Sequence, residues 1–306
     1  MTGGMIVVFG SLNADLVTRV DRIPAPGETV IGPGYAVHPG GKGANQALAA
    51  ARAGARVVMT GAVGRDGLAD VALGLLEAAG VDLSRVARLD EPTGAAFITV
   101  DAAGENAIVV AAGANGHASA AALADLDWQT GAILLLQREV PEAECIAAAR
   151  IAKAHGARVV LNLAPAGPAD PALVGLVDIL VMNEHEARVM AGTLGIAEGD
   201  PDAIAREIDA RHGIAAIVTL GAEGLVAWTG GVRRAVPALP VMVVDTTAAG
   251  DTFCGAFAAA LAAGYGFTGA LQRGVAAGSL ACTKAGAQPS IPDRAAIEAA
   301  VAGKFL

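Results

Sequence analysis

Aromatic residues are scarce in this 306-residue chain: six Phe, two Trp and two Tyr, 3% of the total. A site that stacks bases on a broad aromatic platform has little to be built from. Cysteine is scarce too. Cys145, Cys254 and Cys282 are widely spaced and form no CxxC pair. That excludes a disulfide framework or a structural zinc site, and it fits a reducing cytosol, so a cytoplasmic location is expected. No basic run or stripe is present, and the net charge is −9 with a pI near 5.0. Nucleic acid is therefore not an expected partner. Long apolar runs are missing as well. The longest, around CGAFAAALAAGYGF, falls short of the ~17–25 residues of a membrane span. The opening MTGGMIVVFGSLNAD has no basic leader and reads as a buried strand rather than a signal peptide, so no membrane is expected as partner. The acidity does not exclude an anionic ligand, because surface charge is screened over about 8 Å at physiological salt. Local amides and lysines decide phosphate binding.

What is present is hydrophobic and small. Hydrophobic residues make up 54% of the chain, with 40 glycines and a large share of alanine. The core should come from close approach of backbones rather than from large side chains. Short β-branched runs at 6–10, 56–64, 132–137, 157–162, 178–183 and 215–221 read as strands buried on both faces. Ala-rich stretches at 44–53, 67–79, 141–155, 184–191 and 201–211 read as helices between them. The alternation predicts a single α/β domain over 1–306: a doubly wound, mostly parallel sheet flanked by helices. In such sheets ligands bind beyond the carboxyl ends of the strands. Asn13, Glu139, Asn162, Asn183 and Thr219 fall there. Two segments break the rhythm. ETVIGPGYAVHPGG (28–41) and TGAAFITVDAAGENAIVVAAGAN (93–115) read as hairpins with turns at GPG and DAAGE. They could form a small β-sheet lid inserted at about 14–39 and 92–113. Pattern alone leaves ordinary surface hairpins equally open.

Five motifs carry the chemistry. HPGGKGANQALAA (38–50) is not a Walker A loop, because Gly43 rather than Ser or Thr follows Lys42. It is not a dinucleotide fingerprint either, because Gln46 stands where Gly or Ala is needed. What remains is a glycine-rich helix entry with Lys42 and Asn45 at its mouth, able to bond hydroxyls, or a plain helix entry. GSLNADLV (10–17) sets Asn13 and Asp15 on one side of an extended segment, as a polyol or a surface turn would use them. Glu139, in LLLQREVPE, follows a strand and precedes Pro141. It is open to a helix-entry role. MNEHEA (182–187) reads as a capping box, Asn183 with Glu186. In DTTAAGD (245–251) Ala248, Ala249 and Gly250 offer only backbone amides, a ready anion site if a helix starts there. Asp251 would take a proton from a bound hydroxyl, or serve only as N-cap of a helix over 252–263.

These pieces in this order resemble the ribokinase, or PfkB, family of carbohydrate kinases, from about residue 5 to about 300. The signatures are GGKGANQALAAARAGARVVMTGAVGRDG and VDTTAAGDTFCGAF, with the GSxNxD start, the NxxE motif, the TLGxxG segment (219–224) and AGAQPSIP. The resemblance implies ATP-dependent phosphorylation of D-ribose at O5. Its alternatives are another sugar such as fructose or deoxyribose, a nucleoside, or a non-catalytic sugar sensor, against which the intact DTTAAGD argues. It assigns sugar contacts to Asn13, Asp15, Gly41, Lys42, Asn45 and Glu139. It makes Asp251 the catalytic base, with the amides of Ala248, Ala249 and Gly250 as an anion hole. Asn183, Thr219, Gly221 and Gly224 are implied to border ATP. Glu186 is implied to position Mg²⁺ through water. A K⁺ site is implied at Asp245, Thr247, Ala281, Lys284, Gly286 and Ser290. The lid strands are implied to pair across a homodimer. Two departures stand out. Arg138 replaces a commonly apolar residue and is expected at the edge of the sugar pocket. The helix meant to meet adenine, GVAAGSLACT (274–283), has little polar character.

Overall fold

The apolar runs that read as strands are strands, and most of their residues are buried. The computed structural model describes residues 4–197 and 199–305. Met1, Thr2, Gly3, Glu198 and Leu306 lie outside the described residues. The strands, in chain order, are β1 (Met5–Phe9), β2 (Asn13–Arg19), β3 (Tyr35–Gly40), β4 (Arg56–Gly64), β5 (Asp82–Leu89), β6 (Gly94–Val100), β7 (Asn106–Ala111), β8 (Ile133–Leu136), β9 (Arg158–Asn162), β10 (Ile179–Asn183), β11 (Ala215–Thr219), β12 (Leu225–Thr229) and β13 (Val232–Val236).

Nine of them form one sheet in the order β13-β12-β11-β10-β9-β8-β1-β4-β5. It is parallel from β11 to β5, with β12 and β13 added antiparallel at one edge. The chain begins in β1, moves to β4 on one side, and later returns to β8 on the other. The switch point therefore lies between β1 and β8, where open α/β sheets bind ligands. Period-two alternation divides the core into two layers. Val7 and Phe9 pack under helices Glu142–Ala154, Glu184–Thr193 and Pro201–His212, while Ile6 and Val8 pack under Lys42–Arg52, Ala249–Ala262 and Gly266–Ala281. The small residues do what composition implied. A Cβ on Gly255 would lie 2.4 Å from the Gln46 carbonyl oxygen, so helices Ala249–Ala262 and Lys42–Arg52 touch backbone to backbone there.

The remaining four strands form a second sheet, β3-β2-β6-β7. The β6–β7 hairpin turns at 101–105, where DAAGE stands. The first expected hairpin is corrected. GPG is not its turn, because β3 pairs antiparallel with β2 and residues 28–34 are irregular. The reason is connectivity. β2 leaves β1 after only three residues, and β3 must return to the helix that starts at Lys42, so the two meet each other. β2 then pairs parallel with β6. The small sheet keeps large apolar side chains in the open: Tyr35, Phe97, Ile108, Val109 and Val110 are each more than half exposed.

Candidate active site

The helix carrying Asp251 starts two residues before that acid, at Ala249, which removes the alternative that Asp251 serves only as N-cap of a helix over 252–263. The cap position is Ala248, in the left-handed conformation at φ 59°, the one non-glycine residue with positive φ among the described residues. Such a conformation costs an alanine roughly 1–2 kcal/mol. No side chain caps this helix, so its first-turn amides are left for something else. Beside them, a Cβ built on Gly250 would meet nothing within 4 Å. The fold does not require glycine at 250; the empty space beside it does not belong to the protein's own packing.

Asp251 itself is 6% exposed. Asn45 donates from Nδ2 to its Oδ2 at 3.0 Å, and Gln46 donates from Nε2 to its Oδ1 at 3.0 Å. Asn45 Oδ1 is buried with no protein partner, a polar atom left for a ligand hydroxyl. Lys42 lies in the field of Asp251 first, then Glu139 and Glu186, which together hold its ammonium above the ordinary range against the opposing effect of burial. Glu139 Oε2 accepts from Ser11 Oγ at 2.5 Å and from the Lys42 amide at 3.0 Å. It thus closes the start of the helix entered through Gly41. Asp15 sits across from this group. Burial, then the charges of Glu139 and Asp251, push its carboxyl up to about 6, with Lys42 pulling the other way. Asn13 is nearly fully buried, and its Oδ1 accepts from Asn115 Nδ2 at 2.7 Å. Its own amide N–H groups are what it can offer a ligand.

Two clefts meet at the start of the helix that carries Asp251. One is lined by Lys42, Asn162, Asn183, Glu186, Gly250 and Asp251. The other is an open, mostly apolar trough of about 400 Å³ lined by residues including Gly221, Gly224, Phe253, Val275 and Gly278. Thr219, Thr246, Ala249 and Gly250 belong to both, so the trough runs over the bare helix start to the carboxylate. Asn183 and Glu186 form the capping box read in the sequence, with Asn183 Oδ1 accepting from the Glu186 amide and Glu186 Oε2 accepting from the Asn183 amide, both at 2.8 Å. Burial raises the Glu186 carboxyl, opposed by the Asn183 amide and Lys42. The expected adenine helix does line the trough, through Gly274, Val275, Gly278, Ser279 and Cys282.

A family model described as pfkB family carbohydrate kinase matches residues 4–294. The chain belongs to the pfkB family of carbohydrate kinases. A ribokinase from Haemophilus influenzae is 40% identical over 293 residues, covering 94% of this chain and 95% of the relative. Among solved structures, a ribokinase from Thermotoga maritima aligns with a TM-score of 0.87 at 36% identity, over 98% of this chain and 99% of the other. A ribokinase from Arabidopsis thaliana, solved in complex with ribose and ATP, aligns with a TM-score of 0.87 at 31% identity, over all of both chains.

Against the family expectation, the structure brings Lys42, Glu186, Asn183, Thr219, Gly250 and Asp251 around one space, ties Asn45 to Asp251 and links Glu139 to Lys42. Asp245 joins the two segments expected to hold a cation: its Oδ1 accepts from the amide of Thr247 at 2.9 Å and its hydroxyl at 2.6 Å, and its Oδ2 accepts from the Gly286 amide at 2.8 Å. Burial opposes ionisation of Asp245, but these three donors outweigh it and hold the carboxyl below the usual range. Of the other expected ligands, Ala281 ends helix Gly266–Ala281, the Lys284 side chain is exposed, and the Ser290 hydroxyl is turned to the Ala287 carbonyl at 2.7 Å. The Arg138 guanidinium donates to the carbonyls of Pro165 at 3.2 Å and Pro168 at 2.6 Å, so it holds the loop after β9. Three buried polar residues were not singled out by sequence reading: Gln46 bonds to Asp251, Asn115 to Asn13, and Gln137 to Gln46. Only Gln46, inside the GGKGANQ run, carried a positional hint. Cys254 is no nucleophile, because burial first, then Asp251, drives its thiol well above the ordinary range.

Proposed function

We propose that the protein phosphorylates D-ribose at O5 with ATP, releasing D-ribose 5-phosphate and ADP. One observation carries this reading. A buried carboxylate, Asp251, lines a polar cleft that joins an apolar trough across an uncapped helix start, and Asn45 donates to it from the side. Asn13, Asp15, Lys42, Asn45 and Glu139, with the backbone at Gly41, hold the pentose. Asn183, Thr219, Gly221 and Gly224 border the nucleotide. Asp251 orients the attacking hydroxyl and accepts its proton late, as the new O–P bond forms and the bond to the β-phosphate oxygen breaks. An aspartate is too weak a base to ionise an alcohol beforehand. Phosphoryl transfer asks mainly for positioning and charge stabilisation, and the amides at 248–251 supply the second.

The donor set fits a magnesium ion carried by the nucleotide. Among the described residues no cluster of three His, Cys, Asp or Glu groups could hold a metal, and of the two buried carboxylates in the cleft, Glu186 and Asp251, the second is engaged by Asn45 and Gln46. Mg²⁺ would offset charge on the phosphates, with Glu186 holding its water. A K⁺ ion beside Asp245, Thr247, Gly286 and the carbonyls near Ala281, Lys284 and Ser290 would stiffen the loop that ends in Ala248. The exposed apolar strands of the small sheet fit a homodimer, in which that sheet would act as the lid over the sugar. Three free cysteines fit a reducing cytoplasm. Among the described residues no helix is long and apolar enough to cross a membrane.

The test is ADP release over a panel of D-ribose, 2-deoxyribose, fructose and a nucleoside, each with ATP and Mg²⁺. D-ribose is expected to have the highest kcat/KM, with fructose limited by its extra carbon and the nucleoside by the lack of an aromatic platform. Fructose or a nucleoside ranking above ribose would overturn the ribose reading and leave the sugar-kinase family standing.

A further inference from the structure

Gln46 is where the GKGANQ run departs from a dinucleotide fingerprint, and the family resemblance assigns it no ligand contact. It is fully buried on helix Lys42–Arg52. Its Nε2 donates to Asp251 Oδ1 at 3.0 Å and to Asn162 Oδ1 at 3.1 Å. Gln137, also fully buried, donates from Nε2 to Gln46 Oε1 at 2.7 Å. Chemistry decides the direction of this chain. An ionised carboxylate only accepts, so the end of Gln46 facing Asp251 must be its NH₂. Its Oε1 then faces Gln137, whose own NH₂ must point inward. Asn162 takes the second proton of Gln46, and its Nδ2 donates to the Val181 carbonyl at 3.3 Å. A flip of Gln46 would set its oxygen against two other acceptors, so the orientation is locked.

The two oxygens of Asp251 are held differently. Oδ2 is bonded by Asn45, whose Oδ1 is buried with no protein partner. Oδ1 is bonded by Gln46, which no ligand can reach. We infer that Gln46, clamped by Gln137, is a positioning residue that ties down Asp251 Oδ1 and leaves Oδ2 directed at the attacking hydroxyl. The inference rests on the reading of Asp251 as the base. It also gives a purpose to the close helix contact at Gly255, one turn beyond Asp251, which brings Gln46 within reach. A base that is free to swing loses the near-attack geometry on which the step depends.

The test uses Gln46→Met, which keeps length and removes the donor. Loss of a hydrogen bond to a charged group predicts a drop in kcat of about 10–100-fold, with KM for ribose and for ATP changed by no more than about threefold. The acidic limb of kcat should move to higher pH, because a donor to the ionised form is gone. Gln46→Glu, which sets an acceptor against Asp251, should lose more activity and shift the limb further. Combined with Asp251→Asn, Gln46→Met should add no further loss. Wild-type kcat and an unmoved acidic limb in Gln46→Met would overturn the inference, as would a loss confined to KM or one fully additive with Asp251→Asn. Gln137→Met carries the same test if Gln46→Met fails to fold: it leaves Gln46 in place but unclamped, and unchanged kcat there overturns the inference too. Should Asp251→Asn alone keep its turnover, the base reading fails, and that outcome is distinct from any of the others.

Discussion

The proposed sugar half and the proposed nucleotide half of the site are built on opposite principles. Around the sugar position, buried side chains hold other side chains: Asn115 fixes Asn13, Ser11 and the Lys42 amide fix Glu139, and Gln46 fixes Asp251. On the proposed nucleotide side the capping box of Asn183 and Glu186 faces a floor of backbone and bare carbon: Ala248, Ala249 and Gly250 at the helix start, and Gly274, Val275 and Gly278 in the trough. A pocket of prewired side chains discriminates by leaving its own groups unpaired when a hydroxyl is missing. A trough of backbone and small residues discriminates by shape, and it tolerates a ligand better than it selects one. Selectivity should therefore reside in the first half and charge stabilisation in the second.

The largest expected effect tests selectivity. Sites built around a substrate hydroxyl can reject the analogue lacking it by up to about 10⁴–10⁵, with water admitted under the lid lowering the figure. 2-Deoxyribose should fall well below ribose in kcat/KM, and equal values would remove the contrast between the halves. Next comes the group where the halves meet. Asp251→Asn should lower turnover by about 10²–10⁴ while sugar and ATP still bind, measured by single-turnover kinetics and calorimetry. Near-normal turnover would take Asp251 out of the base role.

On the nucleotide side, Gly250→Ala should cost about 10² in kcat, because a methyl group at the helix start keeps the phosphate from the amides. The same change should leave the melting temperature level or raise it, since alanine favours a helix by up to about 1 kcal/mol over glycine. Lost stability instead would mean that the fold, and not a ligand, needs glycine there.

A smaller effect follows from Asp15, whose carboxyl is pushed from the ordinary aspartate range up to about 6 by burial and by the charges of Glu139 and Asp251. A raised carboxyl contributes stability that is fully present below its unfolded value and lost as pH rises through the folded one. Above about pH 6 the ligand-free protein therefore carries an unfavourable charge. Asp15→Asn should stabilise it there by up to about 3 kcal/mol, with the gain vanishing toward pH 4. Ribose KM of the unmutated protein should rise below about pH 6, as the accepting carboxylate is protonated. A flat ribose KM between pH 5 and 8 would count against Asp15 as a sugar ligand. The smallest effect is the cation's: activity should rise severalfold with K⁺ more than with Na⁺, and Asp245→Asn should blunt it. Indifference to K⁺ in a Na⁺-only buffer would remove that site.

The parallel sheet was legible because strands buried on both faces must be continuous apolar runs, as at 133–136 and 179–183. The capping box of Asn183 and Glu186 was legible because its partners are three residues apart. Gly250 and its neighbours were legible as a bare stretch, although the helix starts three residues before the expected 252. Ala248 caused that error: an alanine in the left-handed region carries no signal that a helix begins after it. The first hairpin was misread for a related reason. Turn residues at GPG suggested local pairing, while the true partner of β3 was selected by where β1 delivers the chain.

By itself the sequence determined the sheet, its flanking helices and the residue types that handle hydroxyls and phosphate. These follow from periodicity and local spacing, which are properties of neighbouring residues. Only the tertiary structure decided which acids are free and which are spent, that Arg138 serves a loop, and that Gln46 holds Asp251 across 205 positions of chain. A hydrogen bond between residues so far apart leaves no periodic trace. It exists because Gly255 lets two helices touch, and that contact is made only when the core closes.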